Sequence, residues 1–389
     1  MDKVRLGTVM TLHRGYDLPN AQRKSGDVPV ISSSGISGSH SVAKLVGENV
    51  ITGRYGTIGE VFYHNGPCWP LNTTLFVEDF HGNDPKYVAY LLEVMLNALQ
   101  IDGTDKSTVP GVDRNVLHDL VVPYISDLAS QKTTTRVLSA IDAKIANNKK
   151  LIAELEETAR LIYDYWFTQF DFPDENGRPY RSNGGTMVWS DELKREIPKG
   201  WSSGTLGDYL HLKKDTIIPA AAQVYEHYSI PAYDDEKYPS LDDGSSIESG
   251  KYRVEKGCIL YSKLNPKFKR LWRPYCLTDN AICSTEFLVM QPNRASEQGF
   301  VLGVLHSDSF YSHMVSRATS STGSRSRVDP EAAVGFTMPR PGDRLIERYE
   351  NVAMPLYNQI QQLEIEGHEL ASLRNWLLPM LMNGQLVVE

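Results

Sequence analysis

Leu138 to Trp166 reads LSAIDAKIANNKKLIAELEETARLIYDYW. Leu138, Ile141, Ile145, Asn148, Ile152, Leu155, Ala159, Ile162 and Trp166 follow one another in alternating steps of three and four. All but Asn148 are apolar, and the spacing is that of a coiled-coil a/d seam, about four heptads long. Lys144, Asn147, Lys149, Lys150, Glu154, Glu156 and Glu157 fill the other faces, and no Pro or Gly interrupts the run. The pattern predicts one long helix from Asp127 to Phe167. A helix with a one-sided seam needs a partner helix.

Outward from this stretch the chain changes character twice. Downstream stands an aromatic cluster, Tyr163, Tyr165, Trp166, Phe167, Phe170 and Phe172, and then a polar segment, 173–200, with Asn183-Gly184-Gly185. That is the clearest composition break in the chain. Upstream, the first 125 residues read as mixed α/β. Val28–Ser34, Asn49–Thr52, Gly59–Tyr63, Leu75–Val77 and Leu120–Pro123 read as strands, with a tight turn at Gly53–Gly56. Pro85–Leu99 reads as an amphipathic helix with Val88, Leu91, Leu92, Met95 and Leu99 on one face. A Gly/Thr/Ser loop spans Gly103 to Gly111.

After the break the pattern repeats. Leu206-Gly207-Asp208 matches Leu6-Gly7-Thr8, and Gly257–Leu260 matches Glu48–Ile51. Ser284–Val289 matches Thr73–Val77, Val328-Asp329 matches Val112-Asp113, and Pro339 matches Pro123. A helix is expected at Phe300–Ser316, in the place of Pro85–Leu99. The second copy supplies the missing seam: Tyr349, Val352, Leu356, Gln359, Leu363, Glu366, Leu370, Leu373, Leu377 and Met380 again step by three and four. Two such helices joined through a whole globular domain suit antiparallel pairing, and each would be about 60 Å long at 1.5 Å per residue. Asn148, Gln359 and Glu366 on the seams are expected to fix register.

At 389 residues the chain exceeds one ordinary core. No run approaches the length of an apolar membrane span, and Met1–Arg5 is followed by no signal-like apolar region. Cys68, Cys258, Cys276 and Cys283 form no zinc spacing, so reduced thiols in a cytoplasmic protein are expected. A net charge of −8 argues against a wholly basic nucleic-acid binder but allows local basic patches.

Nearly the whole chain resembles the specificity subunit of Type I restriction–modification systems. Tyr165–Phe172 is similar to the W-F-x-x-F-D end of that family's first central helix. Gly177–Tyr180, Gly184-Gly185 and Glu196–Trp201 are similar to its linker and the start of its second recognition domain. Leu377–Gly384 is similar to the L-L-P-x-L-x-x-G end of its second helix. The resemblance implies an α/β (α+β) fold: two tandem-repeat DNA-recognition domains separated by two long antiparallel coiled-coil helices. The expected boundaries are 1–126 for the first recognition domain, 127–170 for the first helix and 171–200 for the linker. The second domain then spans 201–341 and the second helix 342–389. Double-stranded DNA, two methyltransferase subunits and restriction/translocase subunits are the implied partners. S-adenosylmethionine and ATP are expected on those subunits only, and no membrane is involved.

A catalyst would change this reading. No phosphate-binding loop, zinc helix or nucleophile elbow occurs. Asn265-Pro266-Lys267-Phe268 differs from the N-P-P-[FY] of amino-methyltransferases at Lys267. Asp234, Asp235, Asp242 and Asp243 read as a solvated acidic loop.

Base reading needs Arg, Lys, Asn, Gln, Ser or Thr on loops, with positive charge beside them. The first domain offers Arg54 and Tyr55 in the Gly53–Gly56 turn and Lys106, Ser107 and Thr108 in the Gly103–Gly111 loop; Arg23, Lys24 and His40 come next. In the second, Tyr261–Arg273 interleaves basic residues with aromatics, at the place of the Arg54 turn. Its candidates are Ser262, Lys263, Asn265, Lys267, Lys269 and Arg270. Arg325 and Arg327 sit at the place of the Gly103–Gly111 loop. The expected function is a non-catalytic DNA-specificity subunit. The competing readings are a coiled-coil scaffold whose domains bind proteins, and an enzyme with an unrecognised metal site.

Overall fold

The structure, a computed structural model, describes residues 2–57, 59–101, 111–320, 325–386 and 388. It divides into two compact units, Met1–Ala146 with Glu369–Glu389, and Asn147–His368. Each unit holds one globular domain and a segment of both long helices.

The first unit opens with β1 (Asp2–Arg5), β2 (Thr11–Arg14), β3 (Val28–Ser32) and β4 (Gly35–His40). It continues with β5 (Glu48–Gly53), β6 (Val61–Asn65), β7 (Trp69–Pro70) and β8 (Thr74–Asp79). Then come α1 (Pro85–Ile101), α2 (Arg114–Asp119), β9 (Val121–Tyr124) and the start of α3 (Leu128–Tyr163). Strands β2-β8-β5-β6 form an antiparallel sheet, β4-β3-β7 a second sheet, and β1 pairs with β9. The buried face of α1 (Val88, Leu91, Leu92, Leu96) shares a core with Val50, Leu75 and Val77 of the first sheet. Leu138 of α3 and Leu378, Leu381 and Met382 near the chain's end join this core. Burying each such side chain stabilises the unit by about 2 kcal/mol.

Polar contacts fix the start of α3. The Asp127 carboxylate caps it, accepting from the Ser130 amide (2.8 Å) and hydroxyl (2.7 Å). One turn on, fully buried Gln131 donates to Asn83 Oδ1 and to the Ile125 carbonyl, both at 2.7 Å, and accepts from the Asp84 amide. All the polar groups of this side chain are occupied, so its burial carries little desolvation penalty.

The second unit takes α3 from Asn147 onward. Its strands are β10 (Met187–Ser190), β11 (Arg195–Pro198), β12 (Ser202–Thr205), β13 (Leu210–Lys213), β14 (Thr216–Ile217) and β15 (Val224–Tyr228). After α4 (Ile230–Asp235) come β16 (Ser240–Asp243), β17 (Lys251–Arg253), β18 (Ile259–Ser262), β19 (Leu271–Trp272), β20 (Ala281–Ser284) and β21 (Phe287–Pro292). Next are α5 (Gln298–His306), α6 (Asp308–Ser316), β22 (Thr319–Ser320), β23 (Ser326–Arg327), α7 (Pro330–Val334), β24 (Thr337–Arg340) and α8 (Asp343–Met382).

The duplication expected from the sequence is visible strand by strand. The sheet β13-β21-β18-β19 repeats β2-β8-β5-β6, and the β12–β24 pair repeats β1–β9. The amide of Leu6 donates to the Leu120 carbonyl (2.8 Å), and that of Leu206 to the Phe336 carbonyl (3.0 Å). Asp113 caps α2 as Asp329 caps α7. A five-stranded sheet, β14-β17-β20-β15-β16, stands where the first unit has three strands.

Three details depart from expectation. The helix expected at Phe300–Ser316 is two helices, because Ser307 adopts an extended backbone and caps α6 through its hydroxyl. The segment 171–200 is folded: Phe172 stacks on Tyr180 (4.7 Å) and Trp201 (5.4 Å), and β10 pairs with β11. The seam on α3 has no exposed member. On α8, by contrast, Val352 (41%) and Leu373 (44%) are exposed, while Ile346, Tyr349, Ala353, Tyr357 and Ile360 are buried. For Val352 the reason lies within the second unit, where α8 packs against α5 as well as α3. Ala353 and Met354 lie against Gly299, and the Tyr163 ring stands where a side chain on Gly303 would be.

Within the second unit the two helices run antiparallel. Tyr163 and Trp166 meet Tyr349 (ring centroids 6.3 and 5.5 Å), while Asn148 donates to Glu366 Oε2 at 2.7 Å. As one helix ascends, the other descends. Among the described residues no helix is long and apolar enough to cross a membrane.

Candidate nucleic-acid interface

Each unit presents a turn braced by a second loop, through the same backbone hydrogen bonds. In the first unit the turn after β5 is held by the Arg54 amide donating to the Thr73 carbonyl (2.8 Å). The Val112 amide donates to the Arg54 carbonyl (2.9 Å) and closes the far side. In the second unit Lys263 replaces Arg54. Its amide donates to the Glu286 carbonyl (3.0 Å), and its carbonyl accepts from the Val328 amide (3.0 Å). The chain thus holds Arg54 and Lys263 in equivalent backbone frames, each bonded to the matching valine, Val112 or Val328.

In the first unit the Arg54 guanidinium lies 4.6 Å from the centroid of the Tyr55 ring. That ring packs on Gly111 so closely that a Cβ there would stand 2.3 Å from it. Glycine is therefore required where the loop returns. Lys106, Ser107 and Thr108 lie outside the described residues. Arg23 is engaged within its own hairpin, donating to the Ser37 carbonyl at 3.0 Å, and His40 accepts from the Lys24 amide.

In the second unit the basic turn and the β22–β23 hairpin are joined. The Asn265 amide donates to the Ser326 carbonyl (2.8 Å), and Asn265 Oδ1 accepts from the Ser326 amide (3.0 Å). Asn265 adopts φ +48°, a left-handed conformation that asparagine tolerates better than most residues. Arg327 makes a two-pronged pair with Glu286, Nη2 to Oε1 at 2.7 Å and Nε to Oε2 at 3.0 Å. The Arg327 guanidinium holds the Glu286 carboxyl below its ordinary value, with Lys263 and Arg325 adding to the effect. Arg327 alone pairs with this carboxylate; Lys263 and Arg325 add to its field without an ion pair.

The structure separates the expected contacts into two groups. Ser262 is 1% exposed, and its hydroxyl is engaged with the Leu264 backbone. Arg270 is 8% exposed and bound at both prongs to Asp234, Nε to Oδ1 at 2.6 Å and Nη2 to Oδ2 at 2.7 Å. Lys269 donates to the His306 carbonyl at 2.6 Å, and burial lowers its pKa. Asn265 and Arg327 are occupied in bracing. All five side chains are engaged within the domain, Ser262 by its own turn and the other four by partners distant in sequence. Lys267 and Arg325 are exposed and Lys263 is partly exposed; none has a side-chain partner among the described residues. Of the four acidic residues expected as a solvated loop, two are engaged: Asp234 holds Arg270, and Asp242 lies 2.7 Å from His227 Nδ1, while Asp235 and Asp243 are exposed. Sequence reading passed over Phe268, which is 63% exposed at the tip of the basic turn.

Among the described residues no group of three or more His, Cys, Asp or Glu could hold a metal ion.

A duplicated domain-plus-helix chain with a braced basic turn in each copy defines a class: a protein with two matched reading heads. Residues 1–157 match the family model of the Type I restriction modification DNA specificity domain. Over 317 residues the chain is 25% identical to the Type I restriction enzyme MjaIX specificity subunit of Methanocaldococcus jannaschii, covering 78% of this chain and 69% of that protein. Its fold is similar to the crystal structure of a Type I restriction–modification S subunit from M. genitalium, with a TM-score of 0.63 and 16% identity. That match covers 98% of this chain and 96% of the other. The resemblance to Type I specificity subunits is thus borne out, and so is the expected fold class.

Proposed function

We propose that this chain is the DNA-specificity subunit of a Type I restriction–modification complex, itself non-catalytic and acting in the cytoplasm. Each globular domain reads one half of a split double-stranded site, and α3 and α8 dock two methyltransferase subunits. A restriction/translocase subunit joins the assembly. S-adenosylmethionine and ATP bind those partners and not this chain. The observation that carries the reading is the repeated loop pair, which presents Arg54 in one domain and Lys263 in the other within the same hydrogen-bonded frame. Lys263, Lys267 and Arg325 are free to meet phosphates or base edges. The long helices carry exposed apolar side chains suited to protein docking: Leu373 and Trp376 in the first unit and Leu161 in the second, with Tyr165 just beyond the end of α3.

The test is to assemble the chain with its cognate methyltransferase subunits and map methylation on random-sequence DNA. Methylation confined to one bipartite sequence is expected. Methylation unrelated to any split site would sink the proposal. A protein-binding scaffold would instead form complexes with no salt-sensitive DNA affinity.

A further inference from the structure

We propose that Phe268 is an aromatic wedge that inserts at a base step of the duplex and helps determine what the second domain reads. The inference rests on the DNA-reading function proposed above. Phe268 is a large apolar side chain, 63% exposed. Such a ring on a surface turn is either incidental or awaits a partner. Its surroundings argue for a partner with negative charge. Lys267 precedes it, and Lys263 and Arg325 stand on the same braced pair of loops without side-chain partners among the described residues. An apolar protein surface would have to desolvate these cations, whereas a nucleic-acid backbone would neutralise them while the ring meets the bases.

The turn is also rigid, which a wedge requires. The Phe268 amide donates to the Asn265 carbonyl (2.9 Å), closing the tip. The Tyr311 hydroxyl donates to the Lys267 carbonyl (3.1 Å), and Lys269 is tied to the His306 carbonyl. The Arg270 guanidinium lies 5.3 Å from the Phe268 ring centroid and is itself fixed by Asp234. The ring therefore stands on an immobilised cation, and much of the entropy of ordering the tip is spent before DNA arrives. Rigid apolar side chains rimmed by cations are the means by which proteins unstack and kink a duplex. Flexible pyrimidine–purine steps yield most readily, so a wedge confers sequence preference without base-edge hydrogen bonds. Arg270 acts here as a positioning residue.

The complex of the full chain with its methyltransferase subunits is to be titrated with duplexes carrying a fluorescent aminopurine at successive positions of the second domain's half-site. Wild type is expected to unstack one step, raising fluorescence there. Phe268→Ala should abolish that rise and weaken binding on the order of tenfold. Its log K against log salt slope should not change, because no phosphate contact is lost. Phe268→Trp should retain the fluorescence rise. Unchanged thermal unfolding of Phe268→Ala is expected, since the ring is exposed. A Phe268→Ala complex that keeps the rise overturns the wedge, as does one whose salt slope becomes shallower. A wild-type complex whose DNA binding ignores both salt and sequence overturns the specificity-subunit reading itself, before the wedge is in question.

Discussion

Glu286 shows how much of the second domain's surface is decided by single residues. It accepts both prongs of Arg327 and feels Lys263 and Arg325. Its pairing neutralises Arg327 and leaves the other two cations available. Replacing Lys263 or Arg325 by Ala should weaken DNA binding and lower the salt slope by about 0.9 for each phosphate contact removed. Binding measured at several salt concentrations checks this; an unchanged slope would remove that residue from the interface. Arg270 should behave otherwise. Asp234→Ala leaves a mostly buried guanidinium without its carboxylate, and should lower stability by about 2 kcal/mol, read as an earlier thermal transition. His306 supplies a pH dependence. Burial, with Lys269 and Lys237 nearby, pushes its imidazole down to about 3. The unfolded chain therefore takes up a proton near pH 6.5 that the folded chain refuses until about pH 3. Stability is full above the unfolded value and falls as pH drops through this window, by at most about 1.4 kcal/mol per pH unit for one proton. His306→Phe should flatten that part of the curve of unfolding free energy against pH.

Among elements, the paired helices show what a seam pattern does and does not reveal. Asn148 is almost fully buried, donates to Glu366, and leaves its own Oδ1 without a partner. A buried polar pair of this kind costs stability and fixes register. Glu366→Leu should cost about 1–3 kcal/mol, because the Asn148 amide then has no acceptor. The double variant Asn148→Leu/Glu366→Leu should regain that loss, which thermal melts of the single and double variants would resolve. If the single variant proves as stable as wild type, the pair is not the register pin. The α3 seam was legible because the heptad repeat alone specifies it and every member found cover. The α8 seam was only partly legible, since Ala353 and Tyr357, which lie off the seam, pack against Gly299 and His306 of α5. No periodicity within α8 announces α5. The five-stranded sheet escaped for a similar reason. Its strand β15 buries Glu226 and His227, and buried polar residues erase the alternation by which strands are read. At the candidate site, the order of the repeat placed Arg54 and Lys263 at equivalent positions, which the matching backbone hydrogen bonds bear out. The inward turn of Ser262 and Arg270 was not legible, because Asp234, which claims Arg270, lies far away in sequence. The exposure of Phe268 is likewise a tertiary property.

At the scale of the whole molecule, each compact unit takes a segment of α3 and a segment of α8, so both helices pass from one unit to the other. In the proposed function this continuity makes helix length the quantity that sets the gap between the two half-sites, much as half-site spacing follows protein geometry in dimeric binders. The two proposed reading surfaces are built entirely within their own units: Arg54, Tyr55 and Gly111 in one, Lys263, Glu286 and Arg325 in the other. Changing helix length should therefore change the gap and nothing else. Seven residues inserted after Asn147, with seven at the matching place in α8, preserve the heptad phase. They add about 10 Å of helix, so the unread gap should lengthen by up to about three base pairs. The bases read on either side should stay the same. Mapping methylated sites with the altered chain in its complex measures both quantities together. Half-sites that change while the gap stays constant would show that helix length does not set the spacing. An insertion in α3 alone breaks the pairing of Asn148 with Glu366 and should lose methylation rather than shift its spacing, which separates a change of length from a loss of register.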